Sequence, residues 1–292
     1  MMLTNLDKIF WPEEKYTKGD VIAYYDAVAP TILPYLKDRP MVLNRHPNGI
    51  TDKGFFQKNV GASKFPSWIQ TAKIMHHERA IEYVLVQDKD TLIYIANLGC
   101  IELNPFHARV KSITHPDYLV IDLDPEKVPF SKVVEAALVV HDIFEELKVP
   151  NFCKTSGGRG LHIYVPLSAK YDYEQVQLVG KLIATLTQDR LPKLISLERS
   201  PAKRQRQIYI DIPRNASGQT LTSPYSLRPR SHAPVSMPLE WKEVTKDLDP
   251  LAFDIKTAPA RIKKKAKDPF KPVLGAGINL KQILTRLQEN TR

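Results

Sequence analysis

The segment Tyr118-Leu119-Val120-Ile121-Asp122-Leu123-Asp124-Pro125 constrains this chain more than any other. An apolar run with β-branched members reads as a buried strand, which Pro125 then stops. Side chains alternate faces along a strand, so Asp122 and Asp124 project from the same one. Two carboxylates side by side at a buried strand end repel each other unless a cation lies between them. Hard divalent cations take carboxylate oxygens, and a pair of them can clamp a phosphoryl transfer. The same tetrapeptide recurs at Asp247-Leu248-Asp249-Pro250, but Glu243, Val244, Thr245 and Lys246 precede it and give no apolar run. There the Asp-Pro pair reads as a turn or a helix start. Context, not the four letters, carries the signal.

Ordinary hydrophobic (43%) and charged (25%) fractions over 292 residues give a globular chain with ample core. No segment approaches the ~18 apolar residues of a membrane span, and the first residues lack the apolar core of a signal peptide. Cys100 and Cys153 have no partner at metal-ligand spacing, so buried reduced thiols and a cytoplasmic location are expected. The net charge of +10 is uneven: ten Lys/Arg and only two Asp/Glu lie from Lys256 to Arg292. Residues 256–292 are expected to form a basic, Pro-, Lys- and Ala-rich tail or linker near a polyanion, with a short helix within Gly277–Leu287.

Apolar spacing predicts helices over Asp20–Leu36, Thr91–Leu98, Ser131–Leu147 and around Tyr173–Leu186. Strands are expected at Met41–Arg45, Gly54–Gln57, Ile81–Val86, Ile101–Leu103, Phe152–Thr155, Leu161–Val165, Gln207–Ile212 and Tyr225–Leu227, besides the acid strand. Strands mixed with helices in this order indicate an α/β or α+β sheet fold.

One helix downstream of the acids lies Thr155-Ser156-Gly157-Gly158-Arg159-Gly160-Leu161-His162. Its glycines let backbone N–H groups turn toward an anion, and Ser156 and Arg159 add a hydroxyl and a cation. His162 and Tyr164 share one face of the strand that follows. A third element, Gln207-Ile208-Tyr209-Ile210-Asp211, ends in another carboxylate, behind the cationic cluster Arg199, Lys203, Arg204 and Arg206. Carboxylates for Mg²⁺ or Mn²⁺ and cations for a triphosphate point to nucleotidyl transfer by two metals.

These motifs, followed by Ser223-Pro224-Tyr225-Ser226-Leu227-Arg228, resemble the archaeo-eukaryotic primase superfamily. Within it, the chain resembles the polymerase domain of the prokaryotic end-joining ligase, ligase D. The resemblance runs from about Leu3 to about Phe253 and includes Leu3-Thr4-Asn5-Leu6-Asp7-Lys8-Ile9-Phe10-Trp11-Pro12 and Gly54-Phe55-Phe56-Gln57-Lys58. It implies a primase-like core of mixed or antiparallel sheet flanked by helices (about 111–255), an N-terminal α/β module (about 1–110) and the basic tail. It implies that Asp122, Asp124 and Asp211 bind two divalent ions, and that Ser156, Arg159, His162, Arg204 and Arg228 hold the nucleotide. Lys8 and Lys18 fall on lysines that recognise a 5′-phosphate, and Phe55 and Phe56 on aromatics that stack on template bases. Point-charge lysines and sequence-tolerant stacking rings suit those roles. Glu102-Leu103-Asn104-Pro105-Phe106 departs from the family's Glu-hydrophobic-His-Pro-Trp, and Arg159 stands where lysine is frequent.

The implied activity is template-dependent extension of 5′-phosphorylated DNA gaps and ends with NTP or dNTP, ribonucleotides preferred. The implied setting is non-homologous end joining with Ku and a DNA ligase, in the cytoplasm and at the nucleoid during repair. A primase that starts chains de novo would use the same site, though Lys8 and Lys18 favour end recognition. A non-catalytic end-binding module would need no acids, and an aspartyl-phosphate phosphatase would want Thr at Glu126. No ligase or nuclease motif appears, and the start at Met1 favours a stand-alone subunit.

Overall fold

In the computed structural model, which describes residues 2–61, 65–76, 78–204 and 206–290, the chain divides into two compact units. The first comprises Met1–Lys111, Thr220–Met237 and Pro250–Asp268; the second comprises Ser112–Gln219, Pro238–Asp249 and Pro269–Arg292.

The first unit opens with a two-stranded ribbon, β1 (Ile9–Trp11) and β2 (Tyr16–Thr17), which leads into α1 (Lys18–Leu36). Thr17 and Asp20 close a reciprocal capping box over the first turn of α1. Its face of Val21, Tyr25, Val28 and Ile32 is buried, as the spacing predicts. A sheet follows: β3 (Pro40–Arg45), β4 (Phe55–Gln57), β5 (Thr71–His76), β6 (Arg79–Leu85) and, after α2 (Lys89–Asn97), β7 (Cys100–Pro105). β7 runs along one edge of β3, while β6 and β4 share the other edge in succession. β5 escapes sequence reading because its residues alternate between exposed and half-buried and none is fully covered. The expected strand at Tyr225–Leu227 is a turn, with Tyr225 at φ 66° and only an isolated bridge from Leu227 to Val235. Its apolar residues are buried because the turn is stitched to β7: Leu103 N–H donates to Ser226 Oγ (2.9 Å) and Ser223 N–H to Leu103 O (2.9 Å).

The second unit carries the acid strand, β8 (Tyr118–Pro125), then α3 (Phe130–Glu146), β9 (Phe152–Thr155), β10 (Leu161–Pro166), α4 (Tyr173–Arg190), β11 (Ile195–Ser196), β12 (Ile208–Ile210) and β13 (Pro238–Leu239). Among the described residues they form a six-stranded sheet in the order β11-β12-β8-β10-β9-β13, antiparallel apart from β11–β12. Pro125 is the last residue of β8, opposite Ile208. The helices cover one face. A Cβ on Gly180 of α4 would meet Leu119 at 3.1 Å, so Leu119, Ile121 and Leu123 point to the helices and Asp122 to the other side. On that side Tyr118, Tyr164 and Phe270 form a chain of rings with centroids 4.9 and 5.1 Å apart. Cys100 and Cys153 are buried free thiols, and no described helix is long and apolar enough to cross a membrane.

Where composition reads as a flexible tail, the chain is folded. α5 (Thr257–Lys264) belongs to the first unit, where Asp268 accepts hydrogen bonds from Tyr35 and Tyr225, both 2.6 Å. In the second unit Phe270, Val273, Leu280 and Ile283 are buried, the last two on α6 (Leu280–Asn290). Gly277 touches the strand end so closely that a Cβ there would lie 2.0 Å from Leu167 O. These anchors are single apolar residues spaced among prolines and lysines, so no periodic pattern announces them.

Candidate active site

The antiparallel register of the second unit lines up a row of polar side chains across three strands and the end of a fourth. Lys154 on β9 faces His162 on β10, which faces Asp122 on β8. Asp211, just past β12, completes the row, its N–H donating to Asp122 O at 3.1 Å. Lys154 Nζ lies 2.8 Å from His162 Nδ1, and His162 Nε2 lies 3.3 Å from Asp122 Oδ1. With Lys154 Nζ donating, His162 Nδ1 accepts and the imidazole presents Nε2–H to the carboxylate. Lys154 is fully buried, so this tautomer is built into the sheet.

Asp122 is 6% exposed. Burial, countered by the Arg214 guanidinium and reinforced by Asp124 and Asp211, pushes its carboxyl up to about 7. Arg214 reaches both acids, with Nε 3.6 Å from Asp122 and Nη2 3.0 Å from Asp211. It is held by a short 3₁₀ turn, Ile212–Asn215, that follows β12. The Asn215 side chain exchanges two hydrogen bonds with the Val120 backbone (2.8 and 2.7 Å), acting as a strand residue beside β8 where β12 has ended. Asp124 is exposed opposite Tyr209, whose hydroxyl donates to Asp211 (3.5 Å) and whose ring carries the Arg204 guanidinium at 3.8 Å. The sequence-predicted acids, His162 and Arg204 are therefore neighbours. Lys154, Arg214 and Asn215 escape sequence reading. A Lys two residues before Ser156, on the same strand face as His162, was the available signal for the first.

Among the described residues no three His, Cys, Asp or Glu side chains close into a ready-made cation cage. Arg214 instead bridges Asp122 and Asp211 with its own positive charge. The donor set still fits a hard divalent ion: it consists of carboxylate oxygens, and a buried carboxylate that resists ionisation gains from a cation.

The glycine loop is shaped by Ser156, whose Oγ accepts from Gly158 N and Gly160 N, both 3.1 Å. Gly157 takes φ 68°, and a Cβ on Gly160 would lie 2.4 Å from Leu123 O. The loop thus packs on β8 between the two acids, with Arg159 exposed.

The remaining sequence-predicted residues belong to the first unit. Lys18 heads α1, with Nζ donating to Thr4 O (2.6 Å), while Lys8 Nζ donates to Asn48 Oδ1 (2.5 Å). Burial and the nearby Lys8 charge both lower the Lys18 ammonium from its ordinary value. Two repelling ammoniums at a helix N-terminus suit an anion. Phe55 and Phe56 on β4 are 46% and 63% exposed, the Phe55 ring 5.3 Å from the Arg45 guanidinium. Arg228 is fixed by Glu102 (Nε–Oε2 3.2 Å) and Thr222 (2.9 Å), and Asn44 also donates to Glu102 (3.0 Å). Asn104 is buried beside them, 3.4 Å from Thr222 Oγ1.

Comparison with known proteins gives this geometry a class. The model of the LigD primase-polymerase domain matches residues 17–270. The bifunctional non-homologous end joining protein LigD of Bacillus subtilis is 33% identical over 266 residues, which are 90% of this chain and 43% of that protein. The multifunctional non-homologous end joining protein LigD of Mycolicibacterium smegmatis is 30% identical over 256 residues, 86% of this chain and 34% of that one. Among solved structures, the polymerase domain of Mycobacterium tuberculosis ligase D in complex with DNA superposes with a TM-score of 0.87 at 27% identity, covering 94% of this chain and 99% of that one. The fold and its matches define a nucleotidyltransferase of the primase-polymerase type. More narrowly, the chain belongs to the LigD primase-polymerase domain family, and it spans 43% and 34% of the length of those two relatives.

Proposed function

We propose that this chain is a template-dependent nucleotidyltransferase that fills or extends 5′-phosphorylated DNA breaks in non-homologous end joining. The observation that carries this reading is the row Lys154–His162–Asp122–Asp211, beside a glycine loop that packs on the acid strand. Asp122, Asp124 and Asp211 would hold Mg²⁺ or Mn²⁺, which when bound supplies activation of a 3′-hydroxyl and neutralisation of the departing pyrophosphate. His162 keeps the Asp122 carboxylate aimed, and Lys154 behind it, donating to Nδ1, keeps the imidazole in its Nε2–H tautomer. Arg159, exposed on the loop, and Arg204, over the Tyr209 ring, are the cations for the triphosphate. The resemblance to ligase D also assigns Arg228, braced by Glu102 and Thr222, to the nucleotide. Lys8 and Lys18 bind the 5′-phosphate at a gap, and Phe55 and Phe56 stack on template bases. The resemblance to ligase D supports ribonucleotide preference, Ku and a DNA ligase as partners, and work in the cytoplasm at the nucleoid.

Extension of a gapped, 5′-phosphorylated duplex with Mn²⁺ and either NTP or dNTP tests the proposal. The expected result is templated addition, faster with NTP and faster than on the same gap without its 5′-phosphate. A chain that binds the gap but adds nothing with either nucleotide would refute it.

A further inference from the structure

β4 is an edge strand of the first unit's sheet, and its two phenylalanines leave it on opposite faces. Phe56 lies across from Asn44 and Phe55 across from Arg45, and successive side chains alternate between the faces. Asn44 donates to Glu102, which holds Arg228, so Phe56 shares its face with the proposed nucleotide contact. Arg45 points the other way and donates twice to Leu98 O at the end of α2 (3.1 and 2.8 Å), so Phe55 shares its face with that helix. Two exposed rings on opposite sides of one strand cannot both stack on a straight run of bases.

The α2 face carries further rings. Tyr94, one turn before Leu98, meets Phe65 and Trp68 edge-on at centroid distances of 5.6 and 5.8 Å. Burial lowers the Arg45 guanidinium while Cys100 and Tyr94 raise it, so the Tyr94 phenol lies within electrostatic reach of Arg45. Phe55, Arg45, Tyr94 and Trp68 therefore follow one another, with the Phe55 ring 5.3 Å from the guanidinium. Neighbours of Trp68 do the anchoring: Val60 and Ile69 are buried, Val60 N–H donates to Glu82 O (2.8 Å) and Leu85 N–H to Gln70 O (2.9 Å). Trp68 is left 47% exposed beside them, a preformed ring surface that a ligand can cover without a large ordering cost.

We infer that a single-stranded DNA template turns over the edge of β4, from Phe56 on the Arg228 face to Phe55 on the α2 face, and that its next base stacks on Trp68. Exposed Lys53 and Lys58 flank β4 and supply cations for its phosphates. The inference rests on the proposed reading of Phe55 and Phe56 as template contacts. Rings set among cations suit a single strand, in which every base offers a face and the backbone is anionic. A protein docking on the same rings would have to cover the lysines too, and interface cores are depleted of lysine.

Tryptophan fluorescence of the full chain tests this, titrated with a deoxythymidine oligomer of about 12 nucleotides, within the range of single-strand site sizes. Emission should be quenched on binding. The quench should disappear in Trp68→Phe, which keeps a ring and should bind nearly as well as wild type. Trp68→Ala should weaken binding about five- to fiftyfold, the effect of one stacked base, and should leave the salt slope unchanged because no phosphate contact is lost. Met75→Ala, which removes another exposed apolar side chain of the same sheet, should leave affinity unchanged. Trp68→Ala also loses an edge contact with Tyr94, so the fluorescence of Trp68→Phe provides a readout that does not depend on that variant's stability. Equal quenching of wild type and Trp68→Phe, or equal affinity of wild type and Trp68→Ala, overturns the inference. Tighter binding of an oligouridine of the same length assigns the surface to RNA and overturns it too. The two readings fail separately: a chain that extends the gap with no effect at Trp68 keeps the polymerase and loses the track. A chain that shows the Trp68 effects but extends no gap keeps the single-strand site and loses the polymerase.

Discussion

The chain contains Asp-Leu-Asp-Pro twice, and the two copies fold differently. Asp122-Leu123-Asp124-Pro125 ends β8, with β10 and β12 hydrogen-bonded on either side and Asp122 aligned against His162 and Asp211. Asp247-Leu248-Asp249-Pro250 lies in an exposed turn that runs into a 3₁₀ turn at Pro250–Ala252. The difference originates upstream. Tyr118–Ile121 is an apolar run that a sheet can bury, and Val244–Lys246 is not. Burial makes a carboxylate chemically unusual, because water no longer stabilises its charge and only neighbours can. In the turn Asp247 is exposed, and water does that work.

The largest effect should separate the two copies outright. Asp122→Ala is expected to lower nucleotide incorporation at least about a hundredfold, more than loss of an outer-shell partner to a metal ligand, with gap binding largely retained. Asp247→Ala, on the exposed copy, should leave incorporation unchanged and stability within about 0.5 kcal/mol. Steady-state extension and thermal melts of both variants check this. Equal loss of incorporation in the two would break the comparison.

Truncation after Phe253 comes next. It removes Phe270, Val273, Leu280 and Ile283 from the second unit and the Asp268 clamp from the first. Each buried apolar side chain is worth about 1.5–3 kcal/mol, and at roughly 2–4 °C per kcal/mol the melting temperature should fall by about 15 °C or more. A melting temperature unchanged by the truncation would return these residues to the status of a flexible tail.

A smaller effect sharpens the account of burial. Lys154→Met keeps the volume and removes the charge behind His162. Incorporation should fall about ten- to a hundredfold, the scale of losing a group that orients a metal ligand, while stability holds or rises because a buried charge has gone. Loss of stability with full activity would mean that Lys154 braces the sheet and nothing more. The smallest effect is expected from Lys8→Ala with Lys18→Ala. Preference for a 5′-phosphorylated gap should drop several-fold, and the salt slope should flatten by about one per lost contact. Undiminished discrimination of the 5′-phosphate would remove these lysines from end recognition.

What was readable in the sequence follows the same division. The acid strand, α3, β9, β10 and the glycine loop announce themselves by apolar runs, helical spacing and punctuation, and all lie close to their predicted bounds. The parts that stayed hidden depend on register or on isolated anchors. Lys154 reads as an ordinary charged residue until the antiparallel pairing sets it against His162. Arg214 and Asn215 lie beyond a strand end, where no periodicity reaches, yet one bridges two acids and the other replaces a missing strand. The segment after Lys256 has linker composition and core function, because four apolar residues are enough to hold it.

Manganese binding tests the central claim most directly, that burial in β8 turns one Asp-Leu-Asp-Pro into a metal site and leaves the other inert. Electron paramagnetic resonance titration of Mn²⁺ into the wild-type chain, Asp122→Asn and Asp247→Asn reads that difference without any turnover. The expected result is at least about tenfold weaker Mn²⁺ binding in Asp122→Asn and wild-type binding in Asp247→Asn. Equal Mn²⁺ affinity in all three proteins would contradict it.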